Sequence, residues 1–326
     1  MARIIRTAVF AVIVVVAAGF AFANAITSSG QATVRSSLTL LAPAAPGGGW
    51  DGFARTTQQT LRSDAVVANV QVVNVPGAAG TIGLAQFVQM EGRNDILMAT
   101  GGVMVGGISV SKPKESFDDV TLIARVADDY TALVVPASSD ITTLDEFIEA
   151  WQADPTGTSF AGGSLGSIDH LVTGLLAREA GIDPSDANYI AYSGGGEALS
   201  AMLSGTTTAG ISGYNEVAGQ IEAGQLRLLA ISAPEPVDGI DAPTFRDAGY
   251  EVAMTNWRGY VAPPGITDEE RQELLDILTE MRESATWRDA LERNAWTDSW
   301  LTGAEFEEFV RDEQKTADAI VKELGL

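Results

Sequence analysis

Short apolar runs alternate along the chain with segments in which apolar residues recur every three or four positions. The runs predict buried strands, and the wider spacing predicts helices with one buried face. Their alternation is typical of an α/β fold with mostly parallel sheets. The strand candidates are LTLLA (38–42), VQVVNV (70–75), DILMAT (95–100), LIARVA (122–127), TALVVP (131–136), TSFAG (158–162), NYIAY (188–192), TAGIS (208–212), LRLLAIS (226–232) and RGYVAP (258–263).

Three of the predicted helices begin with a capping box, in which a threonine oxygen and a glutamate three residues later satisfy exposed amides of the first turn. These pairs are Thr143 with Glu146, Thr267 with Glu270, and Thr302 with Glu305. From residue 267 to the end, the apolar positions have helical spacing only. We therefore predict helices alone in this segment.

The first 25 residues have the pattern of a signal peptide. Arg3 and Arg6 precede a long apolar stretch, which ends at the A-x-A site formed by residues 23–25. We predict cleavage after Ala25 and export to the periplasm through the Sec pathway. The alternative is a retained membrane anchor, because the apolar stretch approaches the length of a membrane span.

Composition removes several classes of function. The chain has no cysteine, which excludes disulfides, thiol catalysis, cysteine metal sites and lipid attachment to an N-terminal cysteine. Its formal net charge is −23, and loss of Arg3 and Arg6 with the signal peptide makes it −25. Because such a field repels polyanions and anionic lipid, we expect neither nucleic acid nor a membrane surface as a partner.

The length of 326 residues suggests two domains of ordinary size. Two polar or proline-rich stretches, 127–140 and 232–245, lie near the one-third and two-thirds points of the chain. If the chain leaves the first domain at one stretch and returns at the other, the middle segment is an inserted second domain. Two crossovers of this kind would produce a hinged cleft.

Five glycine-rich turns follow predicted strands. They are PGGGWD (46–51), GG (101–102), GSLGS (163–167), SGGGE (193–197) and GYN (213–215). Ligands of open α/β sheets bind at the carboxyl ends of the strands, where glycine lets backbone amides come close and helix N-termini carry partial positive charge. A single turn of this kind can serve only as a tight connection, but five together indicate a site for a small anion.

Two of these turns contain motifs found in enzymes. Residues 47–52 form G-x-G-x-x-G, but the next strand ends at 74–76 (Asn-Val-Pro) without the acid that a dinucleotide site needs. Residues 162–166 form G-x-S-x-G, but the chain's one histidine, His170, lies on the helix that follows, pointing away from the place of a general base. We therefore expect no enzymatic activity, no cofactor and no metal, with a serine hydrolase as a distant alternative.

The remaining conspicuous residues have structural interpretations. The acid pairs Asp118-Asp119 and Asp128-Asp129 lie in unpatterned segments and are expected on the solvated surface. Trp287, Trp296 and Trp300 are expected to pack against helices. Trp50 lies inside the first glycine-rich turn, so it either walls a ligand pocket or packs in the core.

Several segments carry a resemblance to the TctC or Bug receptors of tripartite tricarboxylate transporters. They are LAPAAPGGGWDGFARTTQQTL, VVNVPGAAGTIG, GGSLGSIDHLVTGLLAREAGI, YIAYSGGGEALSAMLSG, GQLRLLAIS and NWRGYVAPPGIT. The likeness covers nearly the whole chain after the signal peptide, in the expected order. Within the family, residues 194–197 and 257–260 are closer to the citrate-binding branch than to the amino-acid-binding one.

The resemblance implies a type II periplasmic binding protein whose two lobes close on a solute. Lobe 1 would comprise residues 26–130 and 250–326, and lobe 2 residues 131–249. Such a receptor is a monomer without enzymatic activity, and it delivers a small carboxylate, here citrate or a related tricarboxylate, to the membrane subunits of the transporter. A receptor for a dicarboxylate or an amino acid, or a sensor subunit, is the alternative.

The resemblance also implies a set of ligand contacts. They are Gly48, Gly49, Trp50, Asp51, Thr100, Gly101, Gly102, Ser164, Gly166, Ser167, His170, Gly195, Gly196, Glu197, Gly213, Tyr214 and Arg258. Asp51 cannot accept from a carboxylate, so we expect it to cap the following helix or to orient the loop. Arg258 is expected either to pair with a second or third carboxylate of the solute or to form a hinge or surface ion pair.

Overall fold

The structure is a computed structural model that describes residues 34–192 and 195–326. The predicted signal peptide, its cleavage site, Ser193 and Gly194 lie outside the described residues. The strands are β1 (Leu38–Ala42), β2 (Val70–Asn74), β3 (Ile96–Gly101), β4 (Thr121–Pro136), β5 (Ser159–Gly162), β6 (Asn188–Ala191), β7 (Ala209–Gly213), β8 (Leu226–Ile231), β9 (Thr255–Ala262) and β10 (Thr297–Thr302). The helices are α1 (Gly49–Ser63), α2 (Thr81–Val88), α3 (Gly102–Ser111), α4 (Leu144–Ala153), α5 (Ile168–Glu179), α6 (Gly195–Leu203), α7 (Tyr214–Glu222), α8 (Asp268–Glu283), α9 (Ala285–Arg293) and α10 (Gly303–Glu323). In this described part, no helix is both long and apolar enough to cross a membrane.

The strands form two groups that meet at β4. The order is β2-β1-β3-β9-β4-β7-β5-β6, and β8 and β10 also pair with β4. Pairing is parallel within β1–β2, β1–β3, β5–β6 and β5–β7, and it is antiparallel wherever β4 or β9 takes part. The prediction of mostly parallel sheets is therefore wrong at the centre of the molecule, because the two strands that join the groups run against their neighbours.

Strand β4 is one continuous element of 16 residues. Residues 121–130 pair with β9, and part of the same stretch pairs with β10. Residues 131–136 pair with β7 and β8. The sequence predicts two strands here, separated at Asp128-Asp129, and that separation is wrong because both acids lie within the strand. The change of partners after Tyr130 falls where we expect the first lobe to end, although the lobe limits themselves stay a prediction.

Each group of strands has its own apolar core. The largest core packs β1, β3 and β9 against α1 and the C-terminal helices. Within it, the ring of Phe53 stacks on Tyr260 at 5.0 Å and meets Trp287 and Trp296 edge-on. Trp300 packs half-buried against the same core. The structural interpretation of these three tryptophans is confirmed. Two smaller cores lie under α4 and α5 and under α6 and α7.

Two of the three predicted capping boxes are present in the structure. The capping boxes at Thr143 and Thr267 are present, with the threonine oxygen and the glutamate each accepting a backbone N–H. The side chain of Thr302 makes no capping hydrogen bond. The reason is that Thr302 ends β10, which pairs with Ala124 of β4. The prediction that the segment from residue 267 to the end contains only helices is therefore wrong.

Two glycines permit a close approach between α3 and the turn that precedes α5. A Cβ on Gly106 would overlap the carbonyl oxygen of Gly166. A Cβ on Gly166, whose φ is +75°, would overlap the side chain of Val110. Because a backbone lies against a backbone here, neither glycine has room for a side chain.

We expect Gly106→Ala to lower the free energy of unfolding by about 1–3 kcal/mol, because the added methyl must push α3 away from the turn. Urea unfolding followed by circular dichroism measures this change. The control is Gly52→Ala in α1, where a Cβ meets open space, and it should gain about 0.5–1 kcal/mol. Equal effects at the two positions would contradict the packing argument.

Candidate functional site

A cleft of about 660 Å³ opens between the two groups of strands, a size suited to a small molecule. Its walls come from the segments that follow β1, β2, β5 and β7, from Tyr192 and the start of α6, and from β9. The predicted contacts that line it are Gly48, Gly49, Trp50, Ser164, Ser167, Gly195, Gly196, Gly213 and Arg258. The carboxyl ends of the strands thus bring four of the five glycine-rich turns to one cavity.

The other predicted contacts stand beside the cleft without lining it. They are Asp51, Thr100, Gly101, Gly102, Gly166, His170, Glu197 and Tyr214. Thr100 is fully buried and its hydroxyl points to the sulfur of Met104. Gly101 is packed against the backbone of Trp257. The turn after β3 therefore contributes packing, and only Val103 of α3 reaches the cleft.

Asp51 organises the first glycine-rich turn. Its carboxylate accepts the Gly47 N–H at 2.8 Å, the Arg55 Nε–H at 2.9 Å and an amide hydrogen of Asn74 at 2.9 Å. Burial alone would raise the pKa of Asp51, but the hydrogen bonds from Arg55, Gly47 and Asn74 bring it below its ordinary value. Asp51 thus stays charged and holds the loop in place. Orienting the loop is one of the two structural roles that we expected of this residue.

Trp50 both packs in the core and lines the cleft, the two roles that the sequence left open. Its side chain is 6% exposed and belongs to the largest core. It also lines the cleft, facing the 76–80 segment, where a Cβ on Gly80 would lie 2.7 Å from Cζ3 of the indole. The first turn and the 76–80 segment are therefore held together by one ring.

The turn before α5 is built around two aromatic rings. His170 stacks on Tyr189 with the ring centroids 4.3 Å apart, and its Nδ1 accepts the Gly166 N–H at 3.1 Å. The Tyr189 hydroxyl donates to the Gly163 carbonyl at 2.9 Å. Burial lowers the pKa of His170 to about 4, so the ring is neutral at pH 7. His170 lies in the first turn of α5 rather than deeper in the helix. Its ring stabilises the preceding turn by accepting a backbone N–H, which is not the arrangement of a general base.

Arg258 is buried and ion-paired. It lies on β9, is 2% exposed, and donates through Nη2 to Asp129 of β4. The neighbouring Asp128 accepts two hydrogen bonds from Arg125 and one from Ser299. The expectation that Asp128 and Asp129 are solvated is wrong, since each is buried against an arginine. Asp118 and Asp119 are exposed, as expected.

Two acids of the cleft were missed by the sequence analysis. Asp169, in the first turn of α5, accepts the Gly163 N–H at 3.0 Å. Glu216, in the first turn of α7, accepts the Ser212 hydroxyl at 2.9 Å, and its carboxylate faces the start of α1, where a Cβ on Gly49 would lie 2.9 Å from Oε1. Acids in the first turn of a helix are common because they complement its dipole, so nothing in the sequence set these two apart.

The electrostatics of the cleft are unusual for an anion site. Arg258 is the only cation among the described lining residues, and it already faces Asp129. Burial, with the nearby charge of Glu216 as the second cause, raises the pKa of Asp169 to about 7. Burial also raises the pKa of Glu216, although Arg258 opposes that rise. Negative charge is therefore held in the cleft at a cost that a proton or a cationic group would relieve.

Comparison with known proteins gives a consistent result. The model of the TctC family, described as "Tripartite tricarboxylate transporter family receptor", matches residues 53–326. Protein BugT of Bordetella pertussis is 30% identical over 295 residues, which cover 88% of this chain and 89% of BugT.

Three solved structures resemble the fold. The periplasmic binding protein BugD has a TM-score of 0.79 at 19% identity, covering 89% of this chain and 98% of BugD. MatC of Rhodopseudomonas palustris with bound malate has a TM-score of 0.75 at 20% identity, covering 88% and 99%. Rpa4515 of R. palustris with adipate has a TM-score of 0.77 at 19% identity, covering 89% and 97%. These likenesses confirm the predicted fold, a two-lobed type II periplasmic binding protein.

Asp169→Asn tests the strained electrostatics of the cleft. Because the folded-state pKa of Asp169 is about 7, against an ordinary value of 3.8, the folded protein loses stability as the pH rises through 7. Asparagine still accepts from Gly163 and carries no charge. We expect the variant to match the parent at low pH and to be more stable at pH 8, by on the order of 2–4 kcal/mol.

Urea unfolding of both proteins at pH 4 and pH 8 gives the comparison. The control is Asp268→Asn, which replaces an exposed acid in the first turn of α8. If Asp169→Asn raised the free energy of unfolding equally at both pH values, ionisation of Asp169 would not be what destabilises the folded protein.

Proposed function

Since this chain belongs to the TctC family of tripartite tricarboxylate transporter receptors, we propose that it captures a small carboxylate in its cleft and delivers it to the membrane subunits of such a transporter. The observation that carries this proposal is the convergence of helix N-termini on the cleft. Helix α1 follows Gly48, which has no side chain to cap it, and helix α5 follows Ser167, whose side chain makes no capping hydrogen bond. The first-turn amides of both helices are thus available to an anion.

Binding through amides suits a protein of this charge. The formal net charge of −23 repels a free carboxylate at long range. Hydrogen bonds from fixed backbone N–H groups act at short range and are strengthened by an ionised acceptor. Export with cleavage after Ala25, the monomeric state, and lobe limits near residues 130 and 249 belong to the same proposal.

The solute class has two candidates within this proposal. The likeness of residues 194–197 and 257–260 favours citrate or a related tricarboxylate. The charges of the cleft favour a dicarboxylate or an amino acid, because Arg258 is offset by Asp129 while Asp169 and Glu216 add negative charge. Malate and adipate, bound in two of the structural neighbours, are dicarboxylates.

A thermal-shift screen of residues 26–326 distinguishes these candidates. The ligands are citrate, isocitrate and tricarballylate, then malate, succinate and adipate, then aspartate and glutamate. A binder at 100 times its Kd adds about 2.7 kcal/mol to the free energy of unfolding, which raises Tm by a few degrees. We expect at least one carboxylate to do so, with its charge identifying the class. A screen in which no carboxylate moves Tm would overturn the proposed function.

Ser167→Ala tests the second helix terminus. Ser167 is 1% exposed and lines the cleft, with its hydroxyl 3.4 Å from that of Tyr189. If the hydroxyl donates to the bound carboxylate, its loss should weaken binding by about 1–2 kcal/mol, measured by calorimetric titration. Ser185→Ala, in the exposed turn at residues 184–186 that precedes β6, is the matched control and should leave Kd unchanged. An unchanged Kd for Ser167→Ala would remove this residue from the site.

A further inference from the structure

The side chain of Glu216 lies in a set of donors that would suit a bound carboxylate. The Ser212 hydroxyl donates to it at 2.9 Å, and the backbone amide of Gly49, at the start of α1, favours its ionised form. A Cβ added to Gly49 would lie 2.9 Å from both terminal nitrogens of Arg258 and from Oε1 of Glu216. The start of α1 and a hydroxyl thus face one carboxylate, with the Arg258 guanidinium nearby, and that carboxylate belongs to the protein.

Arg258, which lies beside this position, is a buried cation that its ion pair does not fully satisfy. The residue is 2% exposed, and its Nε is buried without a hydrogen-bond partner among the described residues. Its ion pair with Asp129 uses Nη2. Unpaired donors of buried arginines are costly, so the guanidinium has hydrogen-bonding capacity that its strand partner does not use.

Glu216 also connects the two halves of the molecule. It lies on α7, which follows β7 in the second group of strands, whereas Gly49 and Arg258 lie on α1 and β9 in the first group. It further forms part of the wall between the main cleft and an adjoining recess of about 380 Å³, since both cavities are lined by Glu216, Gly49 and Gly195. A Cβ on Gly195 would lie 2.7 Å from Oε2 of Glu216, so this wall is closely packed.

We propose that Glu216 is an internal ligand: its carboxylate occupies the anion position at the α1 terminus, ties the two lobes together without solute, and must be displaced before a solute carboxylate binds there. This inference rests on the proposed function for the identity of the competitor. Glu216 is then a specificity-determining residue, because only a solute that makes better use of Gly49 and Arg258 replaces it. A displaced Glu216 also joins the recess to the cleft, which gives room to longer dicarboxylates.

Affinity measurements with Glu216→Gln test the displacement. Glutamine keeps the size of the side chain but loses the charge that the Gly49 amide and the nearby Arg258 favour. We expect the Kd for malate and for adipate to fall about tenfold, because a charge-assisted contact no longer competes. Asp169→Asn removes one negative charge from the same cleft without freeing the α1 terminus, so its gain should be clearly smaller. Glu222→Gln, exposed on the same helix, should have no effect.

Each other result counts against the proposal. Equal gains from Glu216→Gln and Asp169→Asn would mean that only the total charge matters. An unchanged Kd would mean that solute does not use the α1 terminus. A weaker Kd would mean that Glu216 binds the solute directly, as it would a cationic group.

Small-angle scattering without solute tests the tie between the lobes and does not depend on the solute's identity. We expect Glu216→Ala to increase the radius of gyration and Glu222→Ala to leave it unchanged. If no carboxylate binds to the parent or to any variant, the proposed function is wrong. The proposed competition between Glu216 and a solute carboxylate is then wrong as well. The scattering result alone then decides whether Glu216 ties the lobes together. If carboxylates bind but scattering and affinity are both unchanged in the Glu216 variants, the proposed function stands and the internal ligand is overturned.

Discussion

The buried ion pair between Asp129 and Arg258 is the constraint around which the rest of the structure is arranged. It joins β4 to β9, the two antiparallel strands that lie between the groups of parallel strands. A charge so deeply buried is tolerated only with a close partner, and removal of either member leaves the other uncompensated at a cost of several kcal/mol. The pair therefore fixes the register of the two central strands, and with it the position of Arg258 at the cleft.

The same pair determines how the protein can hold an anion. Because Asp129 already balances Arg258, the cleft has little net positive charge to offer. In the function we propose, attraction comes from oriented amides at helix termini, and the glycines at these positions that line the cleft are Gly48, Gly49 and Gly195. Arg258 lies near Asp169 and Glu216 but forms an ion pair with neither, so burial still raises the pKa of each.

The sequence predicted most of what local patterns control. The strand positions, the glycine-rich turns at strand ends and the capping boxes at Thr143 and Thr267 follow from periodicity and short-range hydrogen bonds. What failed depends on partners far along the chain. Asp129 looked like surface because its partner is 129 residues away. Thr302 looked like a helix cap because nothing local shows that β10 pairs with β4. The acids of the cleft were missed for the same reason, since their burial is a property of the assembled lobes.

The unbroken course of β4 has a mechanical consequence. A linker made of loops lets two bodies swing freely, whereas a strand of 16 residues, about 50 Å long, acts as a torsion bar. Rotation of one lobe against the other becomes a change of twist near Tyr130 and Thr131, where the strand exchanges one set of neighbours for another. Because such a rotation has to twist a hydrogen-bonded strand, the hinge opposes movement more than a linker made of loops would. Contacts between groups that face each other across the cleft add to the resistance that the strand itself supplies.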